Sequence, residues 1–146
     1  MATSCRLMRM FCKEKKTNTN LIRVAIDDPR CSGDAFWDSH FLTAVGYPDI
    51  AEEERKRLAA QWLGSLDAIY PSAPCCCSYK QHKMKYDLME VASGRHAMIS
   101  YFVDLYNSVG EKVPHMGKTT VEEVIEKYKA NWVDSSKTVY NSCRVN

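Results

Sequence analysis

The chain has 146 residues, enough for one domain with its own core, and its 45% hydrophobic and 26% charged content is that of an ordinary globular protein. A formal net charge of +2 is too small to point to nucleic acid as a partner, and no apolar run nears the roughly 20 residues that span a bilayer. Low-complexity tracts and internal repeats are absent.

In chain order, residues 1–20 run from a basic, slightly apolar start to the polar KEKKTNTN and read as a flexible arm. The apolar run there is short and broken by Arg6 and Arg9, which argues against a secretion signal and for an intracellular setting. LIRVAI (21–26) reads as a short strand or an extended segment, and DDPRCSGD as a loop. A first helix is expected over about 35–45, with Trp37, Phe41, Ala44 and Val45 on one face and Gly46-Tyr47-Pro48 as its stop. Asp49, with Glu52 three positions on, reads as the cap of a second helix that carries Leu58, Trp62, Leu66 and Ile69 at helical spacing and ends before Pro71. A third helix is expected from Pro74 or Cys75 to about Val91. The fourth, about 95–111, has one stripe of Met98, Phe102, Leu105 and Val109 and a second of Ile99, Tyr106 and Val113. Thr119 with Glu122 reads as a capping box opening a fifth helix through Val121, Val124, Ile125, Tyr128 and Trp132.

Seven cysteines are many for a chain expected inside a cell and point to metal, catalysis or redox chemistry. Cys5, Cys12, Cys31 and Cys143 lie toward the ends, whereas Cys75, Cys76 and Cys77 stand together where the chain turns out of Pro71–Pro74 into a helix. A helix start leaves N–H groups unpaired and favours negative charge, which makes a thiol there a better nucleophile. Lys80 and Lys83, one and two turns on, add to that effect. Positions i and i+3 share a helix face, but the residues at that spacing from Cys75 are Ser72 and Ser78. A Cys75–Cys77 bond is the easier one within the triplet, since Cys75–Cys76 needs a strained ring. A zinc set of the triplet plus His82 is disfavoured, because structural sites draw their ligands from two separated knuckles.

From Gly33 to Val113 the sequence resembles the Erv/ALR family of FAD-linked sulfhydryl oxidases. SGDAFWDSHFLTAVGYP keeps Gly33, Trp37, Ala44, Tyr47 and Pro48 at the family's spacing, with Ser32 for its first Trp and Phe41 in the place of its His, beside His40. Tyr70-Pro71 precedes the cysteines as an aromatic-Pro pair precedes the family's CxxC. LYNSVGEKV keeps Leu105, Asn107 and Val109, with Tyr106 for His and Gly110 for the second Asn. Gly117, Lys118, Tyr128 and Trp132 match the closing segment loosely.

The resemblance implies an all-α fold, a four-helix bundle with a short fifth helix behind a flexible N-terminal arm. It divides the chain into an arm (1–30), a helical FAD-binding domain (31–134) and a tail (135–146). It implies FAD as cofactor, held by Gly33, Trp37, Phe41, Tyr47, Tyr106, Asn107, Val109 and Gly110, with Lys112 or Lys118 on the pyrophosphate and Tyr128 or Trp132 over the adenine. It implies a redox centre of Cys75 and Cys77, with Cys76 beside them. In one register Ser72 takes the place of the first CxxC cysteine and Cys75 that of the second; in the other Cys75 is the first and Ser78 takes the place of the second. Cys5 and Cys12 would shuttle electrons from substrate, and Cys31 and Cys143 would link subunits or clip the ends. The implied partners are thiol-containing proteins, molecular oxygen and a second copy of the chain. The implied compartment is the host cytoplasm or the virion for a viral protein, or the mitochondrial intermembrane space for a cellular one. Two other readings stand beside this one: a non-catalytic Erv-like dimer that has lost its redox pair, and a small zinc-binding helical interaction module.

Overall fold

The computed structural model describes residues 29–70, 73–113 and 116–129. The expected arm, the LIRVAI segment, Trp132, the tail, and Cys5, Cys12 and Cys143 lie outside them. The described residues form six helices and no strand: α1 (Pro29–Val45), α2 (Glu53–Ile69), α3 (Ala73–Lys83), α4 (Leu88–Val91), α5 (Arg95–Gly110) and α6 (Val121–Lys129). None is long and apolar enough to cross a membrane.

The first helix starts earlier than expected, at Pro29, so the stretch read as a loop is mostly helical. Proline suits the first helical position, where its missing N–H costs nothing. The expected third helix is two. After Lys83 the backbone tightens, with Lys85 N–H donating to the His82 carbonyl at 3.0 Å and Tyr86 N–H to that of Lys83 at 3.3 Å. Asp87 then caps α4, its carboxylate accepting from Met89 N–H at 2.9 Å. The sign was present in the sequence, since Asp87 has Glu90 three positions on.

Both expected capping boxes are displaced. Asp49 does not cap α2, whose N-cap, Glu52, makes no side-chain cap bond; Asp49 instead meets the Arg95 guanidinium at 2.9 Å. At α6 the box belongs to Thr120 and Glu123, one position on from the expected pair: the Thr120 hydroxyl accepts from Glu123 N–H at 3.2 Å and the Glu123 carboxylate from Thr120 N–H at 3.0 Å.

The core is built around α5, whose Met98, Ile99, Tyr101, Phe102, Val103 and Leu105 are buried. Around it close Phe41, Ala44 and Val45 of α1, Leu63 and Leu66 of α2, Tyr79 of α3, and Val124 and Tyr128 of α6. Each large apolar side chain taken from water in this way contributes about 1.5–3 kcal/mol before entropy is counted. Leu58 and Ile69, expected on the inner stripe of α2, are instead 52% and 68% exposed. The loop after α1 is clamped to the start of α5: Ala51 N–H donates to Ser93 O at 2.9 Å, and Arg95 N–H to Pro48 O at 2.8 Å. Gly94 sits within this clamp, where an added Cβ would collide with the Asp49 carbonyl.

Candidate functional site: a thiol corner and an aromatic cavity

The cysteine triplet occupies the first turn and a half of α3, as its position after Pro74 predicts. Cys75 is exposed and Cys76 half-buried, and both carry thiols, whereas Cys77 is disulfide-bonded. The expected Cys75–Cys77 bond is therefore not the one formed here. Within a regular helix the two side chains are about 200° apart around the axis, so their sulfurs do not face each other. Cys31 and Gly33 fall in the first turns of α1 by backbone.

One face of α3 fixes this corner. Cys75, Tyr79 and Lys83 stand at i, i+4 and i+8, hence in one row. The Tyr79 hydroxyl donates to Leu63 O at 2.7 Å and accepts from the Tyr101 hydroxyl at 2.9 Å. The Lys83 ammonium donates to Gly64 O at 2.7 Å and to the Asp67 carboxylate at 2.6 Å, and Lys80 lies 3.9 Å from the same carboxylate. Burial pushes the Tyr79 phenol well above its usual range, and raises that of Tyr101 to about 12. Both therefore stay protonated and able to donate.

Tyr70, at the joint between α2 and α3, packs its ring against Tyr79 at 5.0 Å and Phe36 at 4.8 Å. Its hydroxyl lies 3.2 Å from His40 Nε2. His40, with 6% of its surface exposed, is enclosed by Phe36, Trp62 and Phe102, and its Nδ1 lies 2.8 Å from Phe36 O. The sequence reading passed over this pair, because a lone histidine on an apolar face carries no motif.

On the other side of α1 lies a cavity of about 380 Å³ between α1, α5 and α6. Trp37, Phe41, Tyr106 and Tyr128, four of the residues that the resemblance assigns to the flavin, line it together with five residues that it did not single out: Asp38, Thr119, Glu123, Val124 and Lys127. Trp37 and Tyr106 meet edge to face at 5.0 Å, and Phe41 lies 5.8 Å from Tyr106 and 6.1 Å from Tyr128. The Tyr128 hydroxyl donates to Asp38 Oδ1, and Lys127 reaches the same oxygen at 3.1 Å. These bonds, that from Tyr128 first, hold the Asp38 carboxyl below its usual range, while burial raises the Tyr128 phenol.

Of the other expected flavin residues, Tyr47, Asn107, Val109, Gly110, Lys112 and Lys118 do not line this cavity. Tyr47 turns to the α4–α5 joint, its hydroxyl donating to Ala92 O at 3.0 Å. Asn107 acts indirectly, donating to Thr119 O and accepting from Thr119 N–H, both at 2.9 Å, and so pins the segment before α6. Gly110 abuts that segment, since a Cβ there would stand 3.2 Å from Gly117 O. Val109 packs against the core. Lys112 is exposed, and Lys118 lies 3.8 Å from Glu111. The cation at the cavity is Lys127, which no spacing rule marked. Four rings around a slot of this volume fit one flat heteroaromatic system, with Lys127 at hand for a phosphate. Among the described residues no cluster of three or more His, Cys, Asp or Glu is arranged to hold a metal ion.

Comparison with known proteins gives the same family. No family model matches the sequence. A protein of Acanthamoeba polyphaga mimivirus named "Probable FAD-linked sulfhydryl oxidase" is 30% identical over 108 residues, 72% of this chain and 73% of its own. A protein of Invertebrate iridescent virus 3, also named as a FAD-linked sulfhydryl oxidase, is 27% identical over 100 residues, 64% of this chain and 65% of its own. Among solved structures, the yeast Erv1 core superposes with a TM-score of 0.65 at 17% identity, covering 82% of this chain and all of that one. The FAD-binding domain of Saccharomyces cerevisiae Erv1 superposes with a TM-score of 0.60 at 19% identity, over 73% of this chain and 98% of that one. The all-α architecture is thus the Erv fold, and the chain belongs to the Erv/ALR family of FAD-linked sulfhydryl oxidases.

Proposed function

We propose that the protein is a FAD-dependent sulfhydryl oxidase that joins thiols of protein substrates into disulfides and passes the electrons to oxygen, releasing hydrogen peroxide. One observation carries this reading. Phe36 of α1 packs against Tyr70 at the joint that leads into the thiol-bearing α3, and the next residue, Trp37, lines the aromatic cavity. Trp37, Phe41, Tyr106 and Tyr128 would hold a ring of FAD, and Lys127 would meet its phosphates. The chemistry supplied by bound FAD is acceptance of an electron pair from a dithiol and its delivery to oxygen.

The chain's own part is to present sulfur. The corner holds one oxidised sulfur, Cys77, beside two thiols. Attack of the Cys75 thiolate on Cys77 Sγ forms a Cys75–Cys77 bond and releases the former partner of Cys77 as a thiolate, so exchange needs no outside oxidant. Geometry demands that the first turn of α3 loosen for this step. We place the activity in a homodimer, as in the family, and both viral relatives support a setting in the host cytoplasm or the virion.

The test is direct. Purified protein should be yellow, absorbing near the flavin band at roughly 450 nm, and should consume oxygen with dithiothreitol; Cys75→Ala should abolish consumption and leave the colour. Colourless protein overturns the reading. The thiol state of Cys75 and Cys76 favours one alternative, a non-catalytic Erv-like binding protein. Yellow protein that consumes no oxygen would establish it.

A further inference from the structure

The polar lining of the aromatic cavity is lopsided. Asp38, Thr119, Glu123 and Lys127 supply it, so two carboxylates stand against one ammonium. The bonds from Tyr128 and Lys127 to Asp38 both fall on Oδ1, and none of the described residues donates to Oδ2. The Asp38 carboxyl is held below its usual range by those bonds, so at neutral pH it is ionised and can only accept. Glu123 likewise has one oxygen engaged: Oε2 accepts from the Thr119 hydroxyl at 3.2 Å and from Thr120 N–H at 3.0 Å, and none of the described residues donates to Oε1. The donors at the cavity, Thr119 and Lys127, are thus already turned to these carboxylates. What the cavity offers a ligand is four ring faces and two carboxylate oxygens without donors.

The two ring systems of FAD differ in what they bring to such a lining. The pyrimidine edge of isoalloxazine carries two carbonyls and a single N–H, so it presents mostly acceptors. Laid against carboxylates, it would strip them of water and leave them unpaired. Adenosine brings donors instead, an exocyclic amine and two ribose hydroxyls, and a carboxylate is a common acceptor for ribose hydroxyls in dinucleotide sites. We propose that the cavity takes the adenosine end of FAD, with the purine among the four rings and Asp38 Oδ2 accepting from a ribose hydroxyl. Trp37, Phe41, Tyr106 and Tyr128 can stack on either ring system; Asp38 is the residue that chooses between them. Its two oxygens then have separate tasks, Oδ1 holding α6 through Tyr128 and Lys127 and Oδ2 reading the ligand. This assignment rests on the FAD reading above.

Binding to the full chain, freed of flavin and titrated by flavin fluorescence, tests it without catalysis. The probes are FAD and the FAD analogue built on 2′,3′-dideoxyadenosine, which keeps both ring systems and the ribityl chain. The analogue should bind the unsubstituted chain about tenfold more weakly, the loss of a hydrogen bond to a charged group that water partly reaches, since the Asp38 side chain is 46% exposed. Asp38→Ala should weaken both probes, because α6 loses its bridge, and should bring their affinities together. Equal affinities in the unsubstituted chain overturn the assignment, as they would if isoalloxazine filled the cavity or a ribityl hydroxyl met Asp38, and this result needs no variant to fold. A tenfold difference that survives Asp38→Ala overturns it too, since a purely structural role for Asp38 lowers both affinities alike. Failure of the FAD reading shows separately, as a chain that binds neither probe.

Discussion

Tyr128 on α6 donates its hydroxyl proton to the Asp38 carboxylate on α1, across 90 positions of sequence, and Lys127 reaches the same oxygen. This bridge holds the short, otherwise marginal α6 against α1 and closes the far wall of the aromatic cavity.

Its contribution depends on pH in one direction. The folded-state value of Asp38 is depressed, so the stabilisation is complete above the ordinary carboxylate value of about 3.9 and is lost as pH falls through the lower folded value. Asp38→Asn should lower stability at neutral pH by about 1 kcal/mol or less, because the pair is partly exposed. In thermal melts the two proteins should converge in strong acid. FAD titrations should show weaker binding in the variant.

Tyr106→Ala and Trp37→Ala should each weaken FAD binding by about 1–3 kcal/mol, roughly 5- to 150-fold, the range for removing an aromatic ring from a stacked base. Tyr106→Phe should bind nearly as well as the unsubstituted chain, since the ring and not the hydroxyl forms the wall. Flavin fluorescence titration measures all three.

Asp67→Ala should leave the Lys83 ammonium, 24% exposed, facing only Gly64 O. A hydrogen bond to a charged group is worth about 1.5–3 kcal/mol, less here because water reaches the lysine. The loss should appear in the melting temperature, together with slower oxygen consumption at unchanged flavin content, because α3 carries the thiols.

Gly94→Ala should destabilise by about 1–3 kcal/mol or more. The backbone of Gly94 is extended, with φ −178°, which any residue adopts, so the cost is steric: the new Cβ meets the Asp49 carbonyl, and the clamp at Ala51 and Arg95 must open. Urea unfolding measures it.

Burial lowers the basicity of both His40 and His82. The unfolded chain therefore binds protons that the folded one refuses, and stability should fall as pH drops below about 6.5. His82→Gln should flatten this slope, measured as melting temperature against pH, while losing stability at neutral pH through the bond to Tyr101 O.

The helices on α1, α2 and α5 were legible because long amphipathic stretches report their own faces: Phe41, Ala44, Met98, Phe102 and Leu105 are buried as their spacing predicts. The split of the third helix was missed because Asp87 interrupts a pattern that otherwise continues. Of the cavity, the aromatic walls were legible through the family resemblance. Asp38 and Lys127 were not, since each reads as an ordinary surface charge until α6 is folded against α1.

Sequence by itself determined the helical class, the placing of three thiols at a helix start and the family, because periodicity, proline positions and motif order are local properties of the chain. Only the tertiary structure decided which sulfur is oxidised, that Tyr47 leaves the cavity for the Ala92 carbonyl, and that His40 meets Tyr70 across 30 positions. Those outcomes depend on which burial and hydrogen-bond partners become available when distant helices pack, and no window of sequence contains both partners.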